Sequence, residues 1–192
     1  MKLRPNPLVQ KLNRQNDIGE NRTGYIRLDK NERTVSFSKK IFNHIIKSIS
    51  SEELSAYADQ SKLYKKLEVE TGLDKKFLLL TPGSDSAIKF IFETFVIKKD
   101  VVGYLWPTYA MIDVYAELYG AKKYQILYNE NLKIDYNQID DFLRKKPKIL
   151  FIANPNQPTG TIIEDKKLDK IISKCQKSNT LVVLDQAYIE FS

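Results

Sequence analysis

A single cysteine in 192 residues, Cys175, removes two classes of protein at once. A lone thiol closes no internal disulfide and cannot build a cysteine-rich metal site, so disulfide scaffolds and cysteine zinc modules are excluded and no metal is expected. Apolar runs are short as well. None approaches the roughly 20 residues that a membrane-spanning helix requires. The opening MKLRPNPLVQKLNRQ has no apolar stretch of the kind a secretory leader carries. Internal repeats, low-complexity tracts and linkers are absent too. What is there is an ordinary globular composition, 42% hydrophobic and 29% charged, long enough for one sizeable domain or part of a larger one. The expected setting is the cytoplasm, with no membrane partner.

Charge is in modest positive excess, with 31 Lys and Arg against 24 Asp and Glu and a net charge of +7. Such a balance raises the question of nucleic acid. The lysines, however, come as scattered pairs such as Lys65-Lys66 and Lys122-Lys123, with acidic residues between them. No nucleic-acid motif accompanies them, so they read as solvated surface and no nucleic-acid partner is expected.

Along the chain the hydrophobic period alternates. KKIFNHIIKSI has apolar residues at helical spacing behind Ser38, a candidate N-cap. SKLYKKLEVETGL is a second helix that Gly72 should stop. FLLL (77–80) reads as a short buried strand, and PGSDSAIKFIFETFV as a turn entering a helix. VVGYLW, KKYQIL, KILFIA and TLVVLD are strands, and helical stretches separate them. Apolar strands alternating with helices predict an α/β architecture with a mainly parallel sheet. In such sheets ligands sit outside the carboxyl ends of the strands, which directs attention to TPGSDS, WPTY, ANPNQPTG and DQAY.

Each of these segments has two readings. In TPGSDS a Gly83 turn leads into Ser84-Asp85-Ser86 at a helix start, where free N–H groups and the dipole suit a phosphate; Ser84 would equally serve as a plain helix cap. It is not a Walker A loop, since no second Gly and no Lys-Ser/Thr pair follow. Asp185, ending VVLD, is either a turn residue or a carboxylate placed to pair with a protonated ring nitrogen. Tyr109 is either a core aromatic or a ring for stacking on a planar ligand. His44 and Cys175 read as ordinary helix residues.

Together, in chain order on successive strand ends, these segments are far more specific than any one alone. RLDKNE, LSAYADQ, PGSDSAI, PTYAMIDVYAELYGA, NPNQPTG and VVLDQAYIEFS make the chain resemble the fold-type I pyridoxal 5'-phosphate aminotransferases of class I/II, from about Ile26 to Ser192. Within them it is most similar to the histidinol-phosphate aminotransferase group. The resemblance implies residues 1–35 as an N-terminal segment and 36–192 as part of the cofactor-binding large domain. It implies that Gly83, Ser84 and Asp85 seat the cofactor phosphate, Tyr109 stacks on the pyridine ring, and Asp185 keeps the ring nitrogen protonated. Tyr188 and the amide of Gln157 would bond the ring's 3' oxygen. Tyr57 would reach the phosphate of a neighbouring subunit, so a homodimer is implied, and Asn31 with Glu32 would border the substrate.

The sequence departs from the family pattern at several points. Gln157 stands where the family carries Asn, Gln186 where it carries Glu, and Ala58 where Pro is usual. The family's Schiff-base lysine lies downstream of the strand-end Asp, whereas the last lysine here is Lys177. No catalytic residue is therefore assigned, and the chain reads as the leading portion of a longer enzyme. Intact, that enzyme would move an amino group between glutamate and a small phosphorylated carbonyl compound. A pyridoxal-phosphate decarboxylase of the phosphoserine or phosphothreonine type, and an inactive binding or interaction fragment, remain as alternatives.

Overall fold

The structure, a computed structural model, describes residues 7–10, 12, 24–27 and 30–192. These fall into two compact units: Thr81–Ser192 with the described part of Met1–Arg14, and Gln15–Leu80.

The larger unit is built on four parallel strands in the order β2-β1-β3-β4: β1 (Val101–Trp106), β2 (Lys122–Leu127), β3 (Ile149–Ala153) and β4 (Leu181–Asp185). Its helices are a short α1 (Pro7–Gln10) and then α5 (Gly83–Phe95), α6 (Ala110–Leu118), α7 (Tyr136–Leu143) and α8 (Asp165–Lys177). Every residue of β3 is buried, as its all-apolar sequence requires. Alternate side chains feed two cores. Val102, Tyr104, Ile149 and Phe151 join Ile88, Phe92 and Ile112 from α5 and α6. Leu105, Leu150 and Ile152 join Phe142 and Ile171 from α7 and α8 on the other side. Gly103 has a packing reason of its own, since a Cβ there would overlap the Phe142 ring. Cys175 is a fully buried member of the second core, and burial pushes its thiol up to about 11, so it is a small apolar residue there and not a nucleophile.

Strand order matters for the site. From β1 the chain goes outward to β2, then returns past β1 to β3 and continues to β4. The direction therefore reverses between β1 and β3, and an open crevice forms at the carboxyl ends of these strands.

The smaller unit contains α2 (Lys39–Lys47), α3 (Ser51–Ser55) and α4 (Ser61–Thr71), with a 3-10 turn at Lys75–Phe77. Ser38 caps α2 as expected, accepting the Ile41 N–H, and Gly72 closes α4 in the left-handed conformation. α3 adds a capping box, with Ser50 Oγ accepting the Glu53 N–H at 3.1 Å and Glu53 accepting the Ser50 N–H at 2.9 Å. One expectation is corrected: 77–80 is not a buried strand. Asp74 accepts the Lys76 N–H at 2.9 Å and winds Lys75–Phe77 into a turn. Residues 78–80 then enter no ladder, and Phe77 and Leu79 are 71% and 70% exposed. A short apolar run becomes a strand only where another strand lies beside it, and none does here among the described residues. Among the described residues, too, no helix is long and apolar enough to cross a membrane.

Candidate functional site

Four chain segments meet at the carboxyl edge of the sheet around a cleft of about 100 Å³. The start of α5 supplies Ser84, the turn after β1 supplies Tyr109, the loop after β3 supplies Gln157, and the end of β4 supplies Asp185 and Tyr188. These five were singled out from sequence on four separate segments, and the fold brings them together. No lysine lines this cleft among the described residues.

At the α5 side, Gly83 has φ of +76°, which lets the chain turn from Thr81-Pro82 straight into the helix. Pro82 occupies the N-cap position and provides no side-chain acceptor, so Ser84 is not the cap. The early N–H groups of α5 thus receive no side-chain partner from the cap, at the end of the helix where the dipole is positive. Asp85 sits in the same turn, half-buried, but its carboxylate is engaged elsewhere: Oδ1 accepts the Tyr115 hydroxyl of α6 at 3.2 Å.

At the β4 end, Asp185 pairs in register with Ala153, and its carbonyl accepts the Asn154 N–H at 2.9 Å. Its Oδ1 accepts the Ala187 N–H at 3.0 Å, a turn that fixes the carboxylate at the cleft wall. Tyr188 donates its hydroxyl to Gln157 Oε1 at 3.1 Å. The longer Gln side chain thus bonds the tyrosine itself, and its amide NH2 remains a donor group at the cleft.

The loops carrying Tyr109 and Gln157 are held by Asn156, a residue for which the sequence reading assigned no role. Asn156 is 2% exposed, and its amide donates to the Pro107 carbonyl at 3.0 Å and Thr159 Oγ1 at 2.7 Å. Its Oδ1 accepts the Thr108 hydroxyl at 2.8 Å. Its backbone closes the loop through Thr161 and Gly160. A buried amide with its side-chain bonds made is a rigid joint. The signal was present in NPNQPTG, but nothing in sequence says that Asn156 faces Thr108 rather than the cleft. Asn154 plays a similar part, exchanging bonds with the Ile163 backbone at 2.8 and 3.2 Å.

Polar groups away from the cleft are structural. Tyr104 is buried and donates to Asp113, and both burial and that partner hold its hydroxyl well above the usual tyrosine range. Lys123 bridges Asp113 and Glu117 at 3.2 Å each; burial disfavours its charge, but the two carboxylates outweigh this and raise its pKa. Lys177 lies with Asp100, Val101 and Lys148 around a groove at the amino ends of the strands. His44 is exposed on α2. Tyr57, fully exposed, and Asn31 belong to the Gln15–Leu80 unit.

With this geometry in hand, the comparisons with known proteins are direct. The family described as aminotransferase class I and II matches residues 29–192. A histidinol-phosphate aminotransferase of Thermoanaerobacter sp. (strain X514) is 35% identical over 172 residues, covering 86% of this chain and 47% of that protein. A dihydroxyacetone phosphate transaminase of Campylobacter jejuni is 30% identical over 171 residues, covering 87% and 46%. The solved histidinol-phosphate aminotransferase of Sinorhizobium meliloti, a complex with pyridoxal-5'-phosphate, superimposes with a TM-score of 0.71 at 19% identity over 81% of this chain and 42% of that one, a likeness of fold. The chain belongs to the aminotransferase class I and II family. It spans about half the length of the curated relatives it matches.

Proposed function

We propose that this chain forms the cofactor-binding part of a pyridoxal-phosphate-dependent aminotransferase of the histidinol-phosphate type, with 36–192 belonging to the large domain. The observation that carries the reading is the convergence of Ser84, Tyr109, Gln157, Asp185 and Tyr188 on one cleft at the sheet's reversal point. Family membership and the histidinol-phosphate aminotransferase relatives support it.

The donor set fits the cofactor chemically. Ser84 and the N–H groups at the start of α5, uncapped by Pro82, suit a phosphate dianion. Tyr109 offers a flat ring at the cleft wall, and Asp185 a half-buried carboxylate to hold a proton at the pyridine nitrogen. Tyr188 gives its hydroxyl hydrogen to Gln157 Oε1, which leaves the Gln157 amide NH2 as the donor that would suit the 3' oxygen. When bound, pyridoxal phosphate supplies the electron sink that stabilises negative charge at the substrate Cα. The contacts that these residues would offer the cofactor are non-covalent, and no lysine lines the cleft among the described residues.

The amino donor on this reading is glutamate and the acceptor a small phosphorylated carbonyl compound, in keeping with both transaminase relatives, whose names carry a phosphorylated substrate. On this reading Tyr57, which is exposed, serves the phosphate site of a second copy in a homodimer, and Asn31 borders the substrate.

The test uses pyridoxamine 5'-phosphate, which cannot react with surface lysines. Titrated into the chain and followed by its fluorescence, it should bind. Asp185→Asn should weaken binding by about 1.5–3 kcal/mol, the worth of a hydrogen bond between the half-buried carboxylate and a ring cation. Lys177→Ala, at the opposite edge of the sheet, should leave it unchanged. The reverse order of effects would remove the cofactor from this cleft.

A further inference from the structure

We infer that Tyr115 is a positioning residue for the phosphate seat: its hydroxyl holds the Asp85 carboxylate aside, so that Asp85 offers its backbone N–H to the anion without its negative charge. The inference rests on the cofactor reading above.

The problem it solves is electrostatic. Ser84 and Asp85 are the second and third residues of α5, and Pro82 gives their N–H groups no side-chain cap. A carboxylate in the first turn of a helix is drawn towards such groups by both hydrogen bonding and the dipole. If Asp85 swung back to them, it would occupy the donors that a phosphate needs. It would also set a like charge beside a dianion. The side chain that belongs by propensity in this turn is thus the one that would compete with the ligand.

Tyr115 prevents this. It reaches from α6 to Asp85 Oδ1 at 3.2 Å, bridging 30 positions of sequence. Its aim is set by packing, for Tyr115 is 8% exposed and its ring lies 5.9 Å from that of Phe92, centroid to centroid. Ser84 lines the cleft wall, and Asp85 follows it as the next residue of α5. At 3.2 Å the bond is a long one for a hydroxyl on a carboxylate, and it holds the half-buried Asp85 together with the packing that aims Tyr115.

The experiment compares pyridoxamine 5'-phosphate with pyridoxamine, which lacks the phosphate, on the 192-residue chain and three variants. Tyr115→Phe keeps the ring and removes the hydroxyl. It should lower affinity for the phosphorylated ligand about tenfold while changing that for pyridoxamine by less than about twofold, since a bond to a charged group is being lost at the phosphate end alone. Asp85→Asn should bind the phosphorylated ligand at least as tightly as the unchanged protein. The double variant should match Asp85→Asn, a rescue that a merely structural tyrosine would not show. Equal losses for both ligands, absence of rescue, or no effect of Tyr115→Phe would each overturn the inference. If Tyr115→Phe fails to fold, Asp85→Asn alone decides, and weaker binding of the phosphorylated ligand by it overturns the inference. Binding by the unchanged chain with unresponsive variants sinks this inference alone. No binding by the unchanged chain sinks the cofactor reading, and this inference with it.

Discussion

The helices of the two units have different physical origins. In the sheet unit α5 buries Ile88 and Phe92, α6 buries Met111, Ile112, Tyr115 and Ala116, and α7 and α8 bury comparable sets. In the Gln15–Leu80 unit, α2, α3 and α4 bury no residue. Yet α2 is as well patterned as any, with Ile41, Phe42, Ile45 and Ile46 on one face, all between 42% and 54% exposed. It also has a better cap than α5, Ser38 against Pro82. The difference teaches that capping places helix ends without packing, while burial alone anchors a helix to a core. The sheet unit is free to leave the start of α5 uncapped because Phe92 and Ile88 hold the rest of the helix.

The largest test of this contrast is an alanine pair. Phe92→Ala empties a fully buried site and should cost about 3–5 kcal/mol in urea unfolding, while Phe42→Ala on α2 should stay within about 0.5 kcal/mol. Equal losses would mean that the exposed face of α2 is part of the cooperative core. Next in size is Gly103→Ala, which drives a methyl into the Phe142 ring and should cost about 1–3 kcal/mol by overpacking, read from the same unfolding curves. In the smaller unit, Ser50→Ala removes a capping box and should lower local stability by about 1 kcal/mol, measured as faster amide exchange at Glu53 with the sheet amides unaffected.

Two titrations sharpen the contrast at smaller amplitude. The hydroxyl of Tyr104 is raised first by burial and then by Asp113, so its neutral form is favoured in the folded state. That contribution is complete below the unfolded tyrosine value of about 10 and is lost as pH rises through the folded value. Tyr104→Phe should therefore flatten the alkaline limb of the sheet unit's stability profile. Glu53 titrates in the opposite sense. The Ser50 backbone N–H and then the Ser50 hydroxyl lower its pKa from the usual 4.5. Its contribution is present above that value and fades as pH falls through the lowered one, with the smallest amplitude of the set because the carboxylate is exposed. Carboxyl chemical shifts should show the depressed value, and Ser50→Ala, which removes the hydroxyl but keeps the backbone N–H, should return it only part of the way.

Local chemistry was readable wherever one segment contains its own cause. Ser38 before an amphipathic run, Gly72 after one, and the apolar runs VVGYLW, KILFIA and TLVVLD all carry their structure within a few residues. The strand-end residues Tyr109, Gln157, Asp185 and Tyr188 were legible for a related reason, since a parallel sheet presents its carboxyl ends to one edge whatever the strand order. What sequence could not decide depends on groups that meet only after folding. FLLL has the composition of a buried strand, but whether a neighbour pairs with it is a question of topology, and Phe77 and Leu79 stayed exposed. Asn156 belongs to a legible motif, yet its partners Pro107 and Thr108 lie nearly fifty positions away. Asp85 sits where a helix start favours a carboxylate, and only the arrival of Tyr115 from α6 determines where that charge points. A propensity acts through bonded neighbours, whereas the direction of a buried polar group is set by whichever partner spares it an unmet hydrogen bond, and that partner is chosen by the packing of the sheet and its helices.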